Sequence, residues 1–241
     1  MDLPTGRQAA RLGTSKNMKP GNSEIKKVFD SVANQYDSIT SSYAIRRRVE
    51  FFVSRSEGKC LDVGAGTGAI SKVLLEKGHK VIATDISVNM VEEMKKKSIE
   101  AVVCDAEQLP FPDASFDTVV SSEMLYYLDN PDKFLKEARR VLKPGGTLLL
   151  SSANKRVAWF YDWLRAVLRP FGIGGTYFDD PVHMFFSEKE LHKIVENAGF
   201  RNIKTKKILV LPILFFDRAN KILERTPLRH AGAFVLLSAR R

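Results

Sequence analysis

The sequence predicts an α/β fold, a doubly wound and mostly parallel sheet, and three observations carry that expectation. Short apolar runs rich in Val, Ile and Leu alternate with amphipathic stretches between Cys60 and Ser152. A parallel sheet covered by helices on both faces requires such alternation, because its strands are buried on both sides and its crossovers need helices. The first apolar run leads straight into GAGTG at 64–68, and the next two end in Asp85 and Asp105.

Taken in order, residues 1–22 are rich in Gly, Pro, Lys and small polar residues and read as a flexible tail. From Ser23 a capping residue precedes Ile25, Val28, Phe29 and Val32 at helical spacing, and a second helix is expected over Tyr43–Val53. Together these form an N-terminal helical segment over 23–57. CLDV, KVIATD, AVVCD, FDTVVSS and GTLLLSS read as five buried strands. AISKVLLEKG, VNMVEEMKKKS and NPDKFLKEARRVL read as the helices between them. LKPGG is expected to separate the last of these helices from strand five, since Pro144 and two glycines cannot continue a helix.

Beyond Ser152 the pattern loosens. Trp159–Arg169 reads as a helix and PFGIGGTYFDDP as a loop, both within an insertion over 153–186. SEKELHKIVENAGF carries a capping box in Ser187 and Glu190 and a stop at Gly199. IKTKKILVL and GAFVLLSAR bring the strand candidates to seven and complete a C-terminal part over 187–241, so that 23–241 reads as a single domain.

Composition narrows the function classes. Two cysteines, Cys60 and Cys104, cannot build a disulfide framework or a four-thiolate zinc site, and no metal site is expected. The first 23 residues lack the apolar segment of a secretory leader, and the longest apolar run, Ile208–Phe216, is too short to span a membrane. A soluble, cytoplasmic protein is therefore expected. The net charge of +10 is uneven: residues 201–241 hold ten basic residues against two acidic ones, while the centre is slightly acidic. Such a tail suits an anionic substrate, a phospholipid surface or simple solubility. Nucleic acid is the least favoured partner, because aromatics do not alternate with Lys and Arg as a base-stacking surface requires. The sequence does not fix an oligomeric state.

The chemistry gathers at the glycine turn. Gly64, Gly66 and Gly68 let the backbone approach a ligand closely, and the following helix offers its N-terminal amides. The turn alone also fits the looser dinucleotide pattern through Gly64, Gly66 and Ala69, which leaves a nicotinamide-dependent oxidoreductase open. Asp85 stands 21 positions after Gly64, where a doubly wound fold places an acidic partner for ribose hydroxyls. Asp105 ends strand three on the same edge, and Asp62 precedes the turn, where a carboxylate suits an ammonium group better than a pyrophosphate.

LDVGAGTG, ATDIS, CDAEQLPFPDASFDTVVSS and RVLKPGGTLLL together resemble the class I S-adenosylmethionine-dependent methyltransferases over Lys59–Ser152. VFDSVANQYDSI is similar to the N-terminal segment of ubiquinone and menaquinone C-methyltransferases, and VHMFFSEKELHKIVENAGF to a later helix of small-molecule and lipid methyltransferases. The resemblance implies a Rossmann-like, seven-stranded sheet with an antiparallel last strand and a cofactor-binding core over 58–152. It implies S-adenosyl-L-methionine as cofactor. Asp62, Gly64, Ala65, Gly66 and Thr67 would hold its methionine part, and Asp85 the ribose hydroxyls. Ile86 and Met90 would lie against the sugar or adenine, Asp105 and Ala106 at the adenine, and Ser122 at the methionine end. Tyr36 would close over the cofactor from the N-terminal segment. A catalytically inactive protein that keeps the cofactor fold is the remaining alternative.

Methyl transfer from an activated donor asks the protein mainly to position the acceptor and exclude water, with a base only where the acceptor must lose a proton. Glu123, Tyr126 and Tyr127 follow strand four, and the resemblance places His183 near the acceptor; His183, Glu123 and Tyr126 are the catalytic candidates. The aromatic density of 157–186 suggests a lid or wall for a planar, apolar or lipid-like acceptor. KILVLPILFF, flanked by Lys206, Lys207 and Arg218, could rest peripherally on a membrane surface or form strand six. The segment after QYDS reads ITSSYAIRRRV, which departs from the quinone enzymes and weakens that substrate assignment.

Overall fold

The computed structural model describes residues 26–27, 29–30, 42–157, 185–208, 222–223, 226–227 and 232–241. The tail at 1–22, the expected helix Trp159–Arg169 and most of the aromatic insertion and of KILVLPILFF lie outside the described residues, as do Tyr36 and His183.

In chain order the elements are helix α1 (Ser42–Val53), strand β1 (Lys59–Val63), α2 (Ala69–Glu76), β2 (Lys80–Asp85), α3 (Val88–Lys96), β3 (Ala101–Val103) and β4 (Phe116–Ser122). After a single 3-10 turn at Leu125–Tyr127 come α4 (Pro131–Val141), β5 (Leu142–Ala153), α5 (Glu188–Asn197), β6 (Arg201–Ile208) and β7 (Phe234–Arg240). The seven strands form one sheet in the order β3-β2-β1-β4-β5-β7-β6. The first five are parallel, and β7 runs antiparallel to both β5 and β6. The order reverses between β1 and β4, and a doubly wound sheet opens its ligand crevice at the carboxyl ends of strands beside such a reversal.

The period-two alternation of the strands builds two cores. Leu61, Val63, Val119, Leu148 and Leu150 face one side, where they meet Phe134, Leu135 and Ala138 of α4 and Leu191 and Val195 of α5. Cys60, Val120 and Leu149 face the other, against Phe51 and Phe52 of α1 and Leu74 of α2. Helix termini follow their sequence signals. Ser187 and Glu190 make the reciprocal capping box of α5, and Asn130 caps α4 ahead of Pro131.

Two boundaries differ from expectation. LKPGG does not stand between helix and strand: α4 passes directly into β5 at Leu142, and the pairing with β4 jumps from Phe116↔Leu142 to Thr118↔Thr147. The extra residues on β5 form an irregular bulge, a setting in which an interior strand tolerates a proline such as Pro144. β3 ends at Val103, so Cys104 and Asp105 lie just past it, although the Cys104 amide still reaches the Asp85 carbonyl at 3.0 Å. Among the described residues no helix is long and apolar enough to cross a membrane.

Candidate functional site

The turn after β1 is shaped by what surrounds it. Gly64 has φ +68°, and a Cβ built there would fall 2.4 Å from Met124 Cγ, so neither the conformation nor the space admits a side chain. Backbone hydrogen bonds tie the turn to β2: the Ala65 amide donates to the Thr84 carbonyl and the Gly66 amide to Asp85 Oδ2, both at 2.9 Å. The other Asp85 oxygen accepts the Ser87 amide at 2.9 Å. Burial pushes the Asp85 carboxyl above the ordinary range, against the pull of the Ser87 and Gly66 amides.

Asp62 lies beneath this turn. Its Oδ2 accepts the Ser71 hydroxyl of α2 at 2.6 Å, while buried Oδ1 has no hydrogen-bond partner among the described residues. Burial, opposed by that hydroxyl, pushes its carboxyl up to about 6. Two buried carboxylates at adjacent strand ends therefore concentrate negative potential around a backbone turn that offers amides.

These groups border an open cleft. Gly64, Gly66, Asp85, Ile86, Asp105, Ala106, Ser122 and Glu123 all line it, so the cleft gathers most of the positions singled out in the sequence. Asp62, Thr67 and Met90 are buried and are not part of its lining, and Ala65 packs beside the small core of Ala83, Val91, Met94 and Ile99. Tyr126 joins through Glu123, whose Oε2 accepts the phenol at 3.1 Å. Glu123 also accepts the Ser151 hydroxyl through Oε1 at 2.6 Å and holds the strained backbone angle φ +57°.

Sequence reasoning missed several members of the wall. Phe29, Cys104, Met124 and Leu128 line the cleft, and Phe29 meets Tyr127 edge-on with ring centroids 5.1 Å apart. Asp30 anchors that contact: its carboxylate accepts the Ser87 hydroxyl and the Asn89 amide, and its carbonyl accepts Asn89 Nδ2 at 2.9 Å. Burial pushes the Cys104 thiol up to about 11, which disfavours the thiolate. Arg48 reaches Glu123 Oε1 at 3.4 Å from α1. The available signal was its place one turn before Phe51 and Phe52 on the face of α1 that turns inward.

Comparison with known proteins gives this cleft its context. Residues 61–150 match the family described as a methyltransferase domain. The ubiquinone/menaquinone biosynthesis C-methyltransferase UbiE of Haemophilus ducreyi is 32% identical over 211 residues, covering 74% of this chain and 81% of that protein. The uncharacterized protein MJ1123 of Methanocaldococcus jannaschii is 29% identical over 88% of this chain and 98% of its own length. A Thermotoga maritima S-adenosylmethionine-dependent methyltransferase, described as a possible histamine N-methyltransferase, superposes with a TM-score of 0.71 at 23% identity, covering 90% of this chain and 99% of that one. A Burkholderia thailandensis 1,6-didemethyltoxoflavin-N1-methyltransferase, solved with its substrate and S-adenosylhomocysteine, has a TM-score of 0.63 at 16% identity over 95% of this chain and 93% of that one.

The residues present fit S-adenosylmethionine. Carboxylates at two strand tips can accept from hydroxyl and amino groups, Asp62 Oδ1, without a hydrogen-bond partner among the described residues, adds negative potential under the turn, and Ile86, Met124 and Leu128 supply apolar wall. The chain belongs to the class I S-adenosylmethionine-dependent methyltransferases, among proteins resembling the ubiquinone/menaquinone C-methyltransferases.

Proposed function

We propose that this methyltransferase acts on a small, planar or lipid-like acceptor that enters beside Glu123. The observation that carries this reading is a run of four aromatic rings, of which Phe29 and Tyr127 line the cleft. Phe29 touches Tyr127 at 5.1 Å, Tyr127 touches Tyr126 at 4.7 Å, and Tyr126 touches Phe185 at 5.6 Å between centroids. Such a run draws on the N-terminal segment, the 3-10 turn and the end of the insertion, and it suits a flat or greasy molecule. Relatives named for quinone and toxoflavin methylation support the same substrate class.

S-adenosylmethionine, when bound, supplies a methyl group already activated on a sulfonium for in-line displacement. The chain's own residues hold and orient. In this reading Asp85 accepts from the ribose hydroxyls with the lone pairs that Gly66 and Ser87 leave unused, and Asp105 accepts from the adenine amino group beside Ala106. Gly64 and Gly66 bring backbone within contact distance of the methionine part, with Ser122 at that end and Ile86 against the sugar or adenine. Asp62 acts from below, by its charge and its grip on α2. Glu123 positions Tyr126 on the acceptor side, where His183 is also assigned as the group that takes a proton if the acceptor must lose one.

Exposed Lys204 and Lys206 on β6, within the strongly basic last 41 residues, support peripheral contact of that edge with an anionic lipid surface. The functional reading is tested by incubating the protein with isotopically labelled S-adenosylmethionine and a cell extract, then identifying labelled products by mass spectrometry. Label is expected in a low-mass, solvent-extractable compound. Label confined to protein or nucleic acid would overturn the substrate class.

A further inference from the structure

We propose that Ser151, which does not line the cleft, is a positioning residue: it fixes the Ser122 hydroxyl as a hydrogen-bond acceptor and so adapts that corner of the cleft to an N–H donor, the ammonium group of the cofactor's methionine part. The inference rests on the assignment of Ser122 to the methionine end, as above.

Three groups in a row carry their hydrogens in one direction. The Glu123 carboxylate has none to give, and its Oε1 accepts the Ser151 hydroxyl at 2.6 Å. A serine hydroxyl holds a single hydrogen, so that of Ser151 is committed to Glu123. The Ser151 and Ser122 hydroxyl oxygens also lie 3.1 Å apart. Distance alone leaves the donor at that contact open, but the bond to Glu123 decides it: Ser122 donates and Ser151 accepts. The one hydrogen of Ser122 is then spent on its neighbour, and lone pairs are what its oxygen has left. Ser122 lines the cleft, whereas Ser151 is 1% exposed and is not part of the lining. A hydroxyl that could rotate to give or to take a hydrogen bond is thereby held as an acceptor. At the methionine end the ammonium group offers N–H donors, and the carboxylate offers none.

The fold keeps these groups in line. Ser122 and Ser151 are register partners on β4 and β5, and the Glu123 amide donates to the Ser151 carbonyl at 3.1 Å. In a continued strand Glu123 would point to the face opposite Ser122. Its left-handed backbone, φ +57°, breaks that alternation and lets the carboxylate return to Ser151. The carboxylate is itself anchored, since Tyr126 donates to Oε2 at 3.1 Å and Arg48 pairs with Oε1 at 3.4 Å. Hydrogen bonds in series polarise one another, so the charge on Glu123 strengthens the Ser122 oxygen as an acceptor and favours a cationic donor over a neutral one.

Isothermal titration of the full chain with two ligands tests this: S-adenosylhomocysteine and its desamino analogue, in which hydrogen replaces the methionine amino group. The wild type is expected to prefer S-adenosylhomocysteine by about tenfold, the scale of a hydrogen bond to a charged group. Ser151→Ala leaves the Ser122 hydrogen free to turn into the cleft. It should cut the preference by about threefold or more, through weaker binding of S-adenosylhomocysteine and not of the analogue. Ser122→Ala should cut it at least as far. Because Ser151 acts through Ser122, the double variant should lose no more than Ser122→Ala alone. A role in packing would instead weaken both ligands equally, and the losses would add. If Ser151→Ala fails to fold, judged by near-ultraviolet circular dichroism, Ser151→Cys replaces it, since a thiol of similar shape is a much weaker donor and carries the same expectation. An unchanged preference in the folded Ser151 variant, or additive losses in the double variant, overturns the positioning role. A wild type that binds both ligands alike overturns the placement of the ammonium at Ser122, and the inference with it. A wild type that binds neither strikes the cofactor site itself.

Discussion

Asp85 Oδ2 accepts the Gly66 amide at 2.9 Å, so the tip of β2 holds the turn that follows β1. Its second oxygen accepts the Ser87 amide, which places one carboxylate between two ligand-facing backbone segments. Replacing Asp85 by Ala removes both supports together with the assigned ribose contact. The expected loss in S-adenosylhomocysteine affinity is about 1–3 kcal/mol, the scale of hydrogen bonds to charged groups. Asp85→Asn keeps one acceptor and should fall between. Titration calorimetry decides, and an unchanged dissociation constant for Asp85→Ala would contradict the role.

Asp62 makes stability depend on pH in a definite direction. Its folded pKa of about 6 lies above the ordinary 3.8, so the native chain binds more protons than the unfolded one between those values. Stability contributed by this group therefore declines as pH rises through about 4 to 6, and above 6 the penalty is complete. Asp62→Asn keeps an acceptor for Ser71 without the charge. Its Tm should exceed that of the wild type at pH 8, by the equivalent of about 1–3 kcal/mol, and the two should converge near pH 4. Glu190 titrates with the opposite sign, held down to about 2 chiefly by the Ser187 amide, but it is common to both proteins and cancels in the difference. A gap in Tm independent of pH would sink the assignment.

How much of this was legible in the sequence follows from the range of the interactions involved. Strands β1 to β5 and the acids at their ends could be read because each is specified by its own few residues and by a turn whose glycines have a local reason. The start of β5 was misread because Pro144 and the following glycines stop a helix, which is a local rule, whereas their place in a bulge depends on pairing with Phe116 and Thr118. Phe29 was assigned to a helical face, since nothing within its own helix reports that Tyr127 lies opposite. The place of Arg48 one turn before Phe51 and Phe52 marks the inward face of α1, but nothing local to that helix reports Glu123, its partner far along the chain.

The contact between Phe29 and Tyr127 gives the cleft a wall from the N-terminal segment, fixed by Asp30 on Ser87 and Asn89. Because Ser87 also caps α3 through the Met90 amide at 3.1 Å, Asp30→Ala leaves that cap in place and removes only the anchor. Dissociation of S-adenosylhomocysteine from Asp30→Ala and Phe29→Ala should be several-fold faster, with thermal stability lowered by no more than about 1 kcal/mol. Stopped-flow displacement measures the first and a thermal melt the second. Equal dissociation rates in the wild type and both variants would show that this wall does not bear on the cofactor.

Gly64 separates two costs that a single substitution combines. With φ at +68°, Gly64→Ala places a side chain in the left-handed region, which costs about 1–2 kcal/mol wherever it occurs. The added Cβ would also fall 2.4 Å from Met124 Cγ and 2.9 Å from its Cβ, so the Met124 side chain must be displaced from its root. Because Met124 itself lines the cleft, its retreat changes the shape of the binding surface. Gly64→Ala is therefore expected to weaken S-adenosylhomocysteine binding at least tenfold while lowering stability by the backbone term and the contact with Met124. Adding Met124→Gly removes the collision but not the strain, so the double variant should recover affinity without fully recovering Tm. If affinity and Tm instead stay down together in the double variant, the turn fails by its backbone alone, and Met124 has no part in shaping the cleft.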